Sequence, residues 1–152
     1  MTDKILIIQE NKQARFDYFI TDTYEAGLVL TGSEVKSLRL KNITFKDSYI
    51  SFIKDEAFLQ NAHISEYRAS SYNNHVPERL RKLLLNRKEL DEIYGSLREK
   101  GFSCVPLKIY FKEGMVKLQI GLAKGKKLHD KRESIKKRDV DQQLRQAKAR
   151  SR

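Results

Sequence analysis

The alternation of apolar and polar residues along the chain predicts a protein built mainly from short strands. A strand with one buried face has apolar residues at every second position, and a strand buried on both faces has a short apolar run. Segments of these two kinds are residues 5–8, 16–20 with their extended continuation 24–30, 47–52, 57–64, 105–111 and 115–122. The short polar links 54–56 and 112–114 predict antiparallel hairpins. Gly27 lies inside one segment and predicts a bulge or bend there.

The stretch from Thr31 to Glu34 predicts the start of a helix. It has the spacing of a capping box, in which the threonine hydroxyl accepts from the Glu34 amide and the Glu34 carboxylate accepts from the threonine amide. The helix is expected over residues 33–40. Lys36 and Arg39, three positions apart, then project together from its surface. They are candidate phosphate contacts, with ordinary surface solvation as the alternative.

Two further helices are predicted between residues 77 and 101. Pro77 suits a first helical position, and the leucines after it have the i, i+3, i+4 spacing of one helix face. These leucines are Leu80, Leu83 and Leu84. The basic residues among them are expected outside that face: Arg79, Arg81 and Lys82. Asn86, with Glu89 at the N3 position, can cap the next helix, and Gly101 is expected to close it.

About six strands and three short helices predict a mainly β fold of the α+β kind. The expected architecture is a small, closed or nearly closed antiparallel barrel of the OB type with flanking helices. The chain has 152 residues, which suits one domain of this size. We expect this domain to cover residues 1–132 and a separate tail to cover residues 133–152.

Positive charge is concentrated at the C-terminal end of the chain. Residues 121–152 contain twelve Lys/Arg and four Asp/Glu, so they carry +8 of the net +11. A basic tail on a nearly balanced body is typical of proteins that hold phosphate backbones, with a solubilising terminus as the alternative. Gly125 stands between Lys124 and Lys126, where a missing Cβ permits close approach of a ligand. The tail has few large apolar side chains, so we expect it to be disordered when free and helical on a partner.

The sequence lacks the signals of common catalytic and metal sites. Its glycines form no phosphate-binding or dinucleotide fingerprint, and the histidines at 63, 75 and 129 lie outside metal-ligand spacing. Cys104 is the single cysteine and is expected to be a buried thiol. We therefore expect no enzyme activity, no cofactor and no metal. Neither a signal peptide, nor a membrane span, nor a disulfide framework is predicted, so a cytoplasmic location is expected. The protein is expected to be a monomer.

Five sequence blocks, taken together, resemble one known family. The blocks are YFI at 18–20, YEAGL at 24–28, EVKSLR at 34–39, RKLLLNRKEL at 81–90 and LAKGKKLHDKR at 122–132. In this order and spacing they are similar to the SsrA-binding protein family, also called small protein B. Members of that family are the bacterial partners of transfer-messenger RNA (tmRNA) in ribosome rescue.

The resemblance implies an OB-like barrel that grips the tRNA-like domain of tmRNA, and a tail that reaches the decoding centre and the empty message channel of the ribosome. The RNA contacts that it implies are Glu25, Arg39, Leu84, Asn86, Lys117, Lys124, Gly125, Lys126 and Lys127. The ribosomal function that it implies is assigned to Asp130, Lys131 and Arg132, with His129 placed to stack on a ribosomal base. The basic residues that follow are assigned to the same function: Lys136, Lys137 and Arg138.

Three of the implied RNA contacts also suit simpler structural roles. Asn86 suits a helix cap, Leu84 a core position, and Glu25 a charge at a strand edge.

Two further functions are compatible with the sequence. A generic single-strand-binding OB module would stack bases on aromatic side chains, for which the sequence offers Phe16, Tyr18 and Tyr110. A metal-dependent nuclease around Asp130 is the third hypothesis, although it would need further carboxylates converging on one site. Binding of tmRNA in preference to unstructured RNA distinguishes the family function from a generic single-strand binder. Metal-dependent RNA cleavage would distinguish the nuclease from both.

Overall fold

Nine strands and three helices form the part of the chain that the computed structural model describes, residues 4–68, 74–99 and 101–126. In chain order they are β1 (Ile5–Glu10), α1 (Lys12–Asp17), β2 (Tyr18–Leu28), α2 (Gly32–Arg39), β3 (Ile43–Thr44), β4 (Tyr49–Ile53), β5 (Glu56–Gln60), β6 (His63–Ile64), β7 (Arg81–Leu84), α3 (Arg87–Leu97), β8 (Phe102–Lys112) and β9 (Met115–Gly125). The expectation of a mainly β fold is confirmed.

Seven strands form one antiparallel sheet in the order β1-β8-β9-β2-β7-β5-β4, and β3 pairs with β6 separately. The expectation of a closed barrel is wrong for the described part of the chain, because no hydrogen-bonded ladder there joins the edge strands β1 and β4. A groove of about 950 Å³ lies at this side, lined by residues of β1, α1 and the segment 44–48. Although the sheet curls far enough for β4 to lie near β8, it remains open.

Three bulges curve the sheet. The pairing registers shift past Ile8 in β1, Thr21 in β2 and Leu107 in β8, so each of these residues is an extra one in its strand. The bulge predicted at Gly27 is absent from the described pairing, in which Gly27 lies in regular register opposite Leu84. A Cβ at Gly27 would lie 3.3 Å from the Leu84 Cβ, so the glycine permits close packing of β2 and β7.

The concave side of the sheet holds the main core. Leu118, Ile120 and Leu122 alternate along β9 into this core, and the helices close it with Leu38 of α2 and Ile93 of α3. A second cluster lies beneath α1 and consists of Ala14, Val105, Leu107 and Ala123. The expected burial of Cys104 is confirmed, and burial raises the pKa of its thiol to about 12.

Two predicted helices are confirmed together with their caps. Both hydrogen bonds of the Thr31–Glu34 capping box are present at α2, and Asn86 and Glu89 form a second capping box at α3. Gly101 has the positive φ of +90° that its predicted role requires. It lies beyond the C′ position, however, because α3 ends at Leu97 and its C-cap is Arg98.

The helix predicted from Pro77 is wrong, because residues 81–84 form strand β7. This strand pairs with β5 on one side and β2 on the other. Arg81 and Leu83 are buried, whereas Lys82 is half-buried and Leu84 is exposed, which is the period of two of a strand. The expectation that Arg81 lies outside the packed face is therefore also wrong. Sequence reasoning missed α1 as well, which begins after its cap Asn11 and takes Phe16 out of the predicted strand.

Arg81 is buried because it pairs with Glu34. Both side chains are 0% exposed, and Arg81 Nε lies 2.5 Å from Glu34 Oε2. The other guanidinium nitrogens donate to the carbonyls of Ala62 and Pro77, while Arg79 donates to the second Glu34 oxygen at 2.6 Å. The pair thereby connects α2 to β7 and to the links on either side of β6.

Replacing Gly121 with alanine is expected to lower the free energy of unfolding by about 1–3 kcal/mol, because it overpacks the second cluster. A Cβ there would lie 2.8 Å from Leu107 Cδ1 and 3.0 Å from Ile20 Cγ2. Urea denaturation measures the loss. Gly95→Ala is the matched control: Gly95 lies inside α3 with no atom within 4 Å of the added Cβ, so this change should stabilise the protein. Equal effects of the two changes would contradict the packing argument.

Candidate nucleic-acid interface

The C-terminal end of β9 carries lysines that lie over aromatic rings. Lys124 pairs directly with Phe19 on β2 and with Phe102 on β8, so the three side chains share one face of the sheet. Lys124 Nζ lies 4.8 Å from the centroid of the Phe102 ring, and Lys126 Nζ lies 5.1 Å from that of Phe19. Both distances are within the range of cation–π attraction. We call these four residues the lysine–phenylalanine row.

Gly125 separates the two lysines and lies opposite Tyr18. It is exposed, and no atom of the described chain lies within 4 Å of the place where a Cβ would be. The space over this part of the backbone is therefore open to a ligand.

A second group forms on the convex face of the sheet around Gly27. Lys117 on β9 and Leu84 on β7 are its direct partners, and Glu25 is two positions away on the same face. Asn86 follows Leu84 closely and caps α3, accepting from the Glu89 amide at 2.9 Å. We call Glu25, Leu84, Asn86 and Lys117 the convex group. The structure thus brings together four of the residues assigned to RNA contact.

Glu25 has two partners within the chain. The Tyr110 hydroxyl donates to one carboxylate oxygen, and Lys112 Nζ lies 3.3 Å from the other. The bond from Tyr110, followed by that from Lys112, holds the pKa of Glu25 below its ordinary value. Burial and the same carboxylate raise the pKa of the Tyr110 phenol. Glu25 is therefore an ionised acceptor held in place beside Lys117.

The lysine–phenylalanine row and the convex group lie far apart. Lys124 lies seven positions after Lys117 on β9, which corresponds to about 23 Å along a strand. Lys117 faces the convex side, whereas Lys124 lies on the same face of β9 as the residues that enter the core. Lys36 and Arg39 lie on a third element, α2, with Lys36 Nζ 5.5 Å from the Tyr67 ring centroid. A single partner that contacts all three places must extend along the length of β9 and also reach α2.

Several predicted site residues lie outside the described residues: Lys127, His129, Asp130, Lys131, Arg132, Lys136, Lys137 and Arg138. The three aromatic rings suggested for base stacking lie within the described residues, but their faces are not open to a base. Phe16 lies in α1, Tyr18 is half-buried against the second cluster, and Tyr110 is 4% exposed. The stacking surface that a generic single-strand binder needs is thus not formed by these three residues.

Sequence reasoning missed Phe19 and Phe102 as members of the site. Their proximity to the lysines depends on the register of three strands, which the sequence does not specify, although the YFI block contains Phe19. Among residues 4–68, 74–99 and 101–126 no cluster of three His, Cys, Asp or Glu could hold a metal ion. Within the same ranges, no helix is long and apolar enough to cross a membrane.

The open antiparallel sheet, its helices and its lysine-bearing strand end define a small β protein with a candidate nucleic-acid surface. The family model described as SmpB protein matches residues 8–150. The chain belongs to this family.

Named relatives are similar to this chain over most or all of its length. The SsrA-binding protein of Bdellovibrio bacteriovorus is 72% identical over 152 residues, which is 100% of both chains. That of Pelobacter propionicus is 55% identical over 141 residues, covering 93% of each. A solved chain described as "tmRNA-SmpB: a journey to the center of the bacterial ribosome" is 47% identical with a TM-score of 0.69, covering 84% of this chain and 93% of that one.

Proposed function

We propose that this protein is a non-catalytic adaptor that binds the tRNA-like domain of tmRNA and delivers it to stalled ribosomes. The observation that carries the proposal is the family match over residues 8–150, together with relatives named SsrA-binding protein. The described surface supports it, because the assigned contacts lie in groups about 23 Å apart along β9. Such spacing suits a structured RNA, whose shape and phosphates are read over a wide area.

Different parts of the chain contribute differently to this function. The sheet domain, residues 1–132 with an OB-like character, grips tmRNA through the convex group, the pair Lys36 and Arg39 on α2, and the lysines at 124, 126 and 127. The tail, residues 133–152, lies outside the described residues, and in this proposal it enters the decoding centre and the message channel. Its net positive charge supports contact with ribosomal phosphates.

Reversing the charge of Lys124 and Lys126 to glutamate is expected to weaken tmRNA binding at least about 100-fold. A contact made by a charged group contributes roughly 1.5–3 kcal/mol, and two are lost. The log–log salt slope should also fall by about 1.4–1.8, because each lost phosphate contact removes about 0.7–0.9. Filter binding over a range of salt concentrations measures both quantities.

The control is Lys46→Glu with Lys54→Glu, which changes the net charge equally at two exposed positions outside every contact group. This control should leave the salt slope unchanged. Competition with a scrambled RNA of equal length completes the test. Equal affinity for tmRNA and the scrambled RNA would overturn the proposal in favour of a generic single-strand binder, and equal slopes of the two variants would remove the lysines from the interface.

A further inference from the structure

The two phenylalanines of the lysine–phenylalanine row lie beside β9 on its neighbouring strands. Phe19 is on β2 and Phe102 on β8, and both pair with residue 124. Phe19 is 49% exposed, so part of its ring is accessible from solvent. The backbone amide of Lys126 donates to the Asp17 carbonyl at 2.9 Å, so the chain stays in register beside β2 one residue past the end of β9.

The position of the ammonium groups indicates what the rings do. The Lys126 ammonium lies over the Phe19 ring and the Lys124 ammonium over the Phe102 ring, where a nucleobase would otherwise stack. A cation is attracted to the negative face of a ring, and the lysine stem covers apolar surface at the same time. A lysine side chain that moves freely in solution loses rotamer entropy when it is fixed by a ligand. A lysine already held over a ring loses less.

We propose that Phe19 and Phe102 are positioning residues that hold the ammonium groups of Lys126 and Lys124 in place for phosphates of the bound RNA. The inference rests on the proposed function for the identity of that RNA, but the arrangement of the rings and the lysines is a property of the free protein. The phenylalanines act through the lysines and make no base contact of their own.

A double-mutant cycle on tmRNA binding tests the proposal. Phe19→Leu keeps an apolar side chain and removes the ring, and it should weaken binding about two- to fivefold, the range of an exposed cation–π contact. Phe19→Tyr keeps the ring and should bind as wild type does. In a Lys126→Ala background, Phe19→Leu should have no further effect, because the group that the ring holds is gone. In a Phe102→Leu background, Phe19→Leu should weaken binding by the same factor as it does in the wild type, because the two ring–lysine pairs are independent.

Equal losses from Phe19→Leu with and without Lys126 would overturn the proposal, since the ring would then contact RNA directly while tmRNA binding itself stands. A second measurement is independent of any RNA. In free protein, the ring current of Phe19 should shift the methylene protons next to the Lys126 ammonium upfield, and Phe19→Leu should abolish the shift. Unshifted protons in folded wild-type protein would overturn the positioning role. Failure of the proposed function would instead show as equal affinity for tmRNA and scrambled RNA with the proton shift intact.

Discussion

Arg81→Met is expected to lower the free energy of unfolding by about 3–5 kcal/mol, because it removes the buried arginine that pairs with the buried Glu34 carboxylate. Both side chains are 0% exposed and their closest atoms lie 2.5 Å apart. Methionine fills similar space without charge, so the loss reports the Glu34 Oε2 atom and the carbonyls of Ala62 and Pro77 that lose their donor. Urea denaturation monitored by circular dichroism measures it.

The double variant Glu34→Leu with Arg81→Met is expected to lose much less than the sum of the two single changes. Removing both charges leaves no ion of this pair without its partner, whereas each single change leaves one. Arg87→Ala is the control, since its ion pair with Asp91 is exposed at 61% and 66% and contributes about 0.5 kcal/mol or less. A single Arg81→Met loss no larger than that of Arg87→Ala would contradict the role of the pair.

The same pair gives stability a defined pH dependence. Burial alone would raise the pKa of Glu34, but hydrogen bonds from Arg79, the Thr31 amide and Arg81 outweigh it and hold that pKa below the ordinary 4.5. A carboxylate with a lowered folded-state pKa stabilises the protein fully above its unfolded pKa and progressively less as pH falls below it. Wild-type stability should therefore decline below about pH 4.5 more steeply than that of Glu34→Gln. If the free energy of unfolding of the two proteins fell equally with decreasing pH, the proposed contribution of Glu34 would be contradicted.

Local sequence signals predicted the elements whose stabilising contacts lie within a few residues. The capping boxes at Thr31 and Asn86 are formed, and the hairpin turns at 54–55 and 113–114 have positive φ, as their strand alternation and short links required. These features depend on hydrogen bonds between near neighbours, and the residue types alone specify them.

The helix predicted over residues 81–84 is wrong because the spacing of apolar residues there fits a helix as well as a strand. Tertiary contacts decide between the two. Arg81 occupies an inward strand position that would normally be apolar, so the period of two is hidden and the leucines match a helical period. The partner that permits its burial, Glu34, is 47 residues away. The open edge between β1 and β4 has a similar origin, since strand order depends on long-range pairing.

The candidate site, like the fold, could be predicted from the sequence only in part. Lysines at 124 and 126 stand out by charge and by the family's sequence blocks, whereas the rings that accompany them depend on the pairing of β9 with β2 and β8. The convex group around Gly27 likewise unites residues from three strands and a helix cap. The sequence blocks indicate the residues, and the pairing register determines how those residues are held.

The change of Asp130, Lys131 and Arg132 together to alanine is expected to leave tmRNA affinity within a few-fold of wild type and to abolish tagging of stalled chains. These residues follow the last described strand, immediately precede the tail and lie outside the described residues. In the proposed function, Lys131 and Arg132 hold ribosomal phosphates, and Asp130 orients them or caps the helix that the tail forms there. Filter binding measures affinity, and an in vitro reaction on a message without a stop codon measures tagging.

The contrast with Lys124→Glu and Lys126→Glu makes this test decisive. That pair of reversals should weaken tmRNA binding, and tagging should fall only in proportion to the tmRNA that is no longer bound. An excess of tmRNA should therefore restore tagging. The alanine variant should bind tmRNA and still not tag at any tmRNA concentration, because its defect lies in contact with the ribosome. If the alanine variant instead loses tmRNA affinity in proportion to the two positive charges removed, the tail is simply an extension of the RNA-gripping surface. Normal tagging by it would exclude these residues from the ribosomal step.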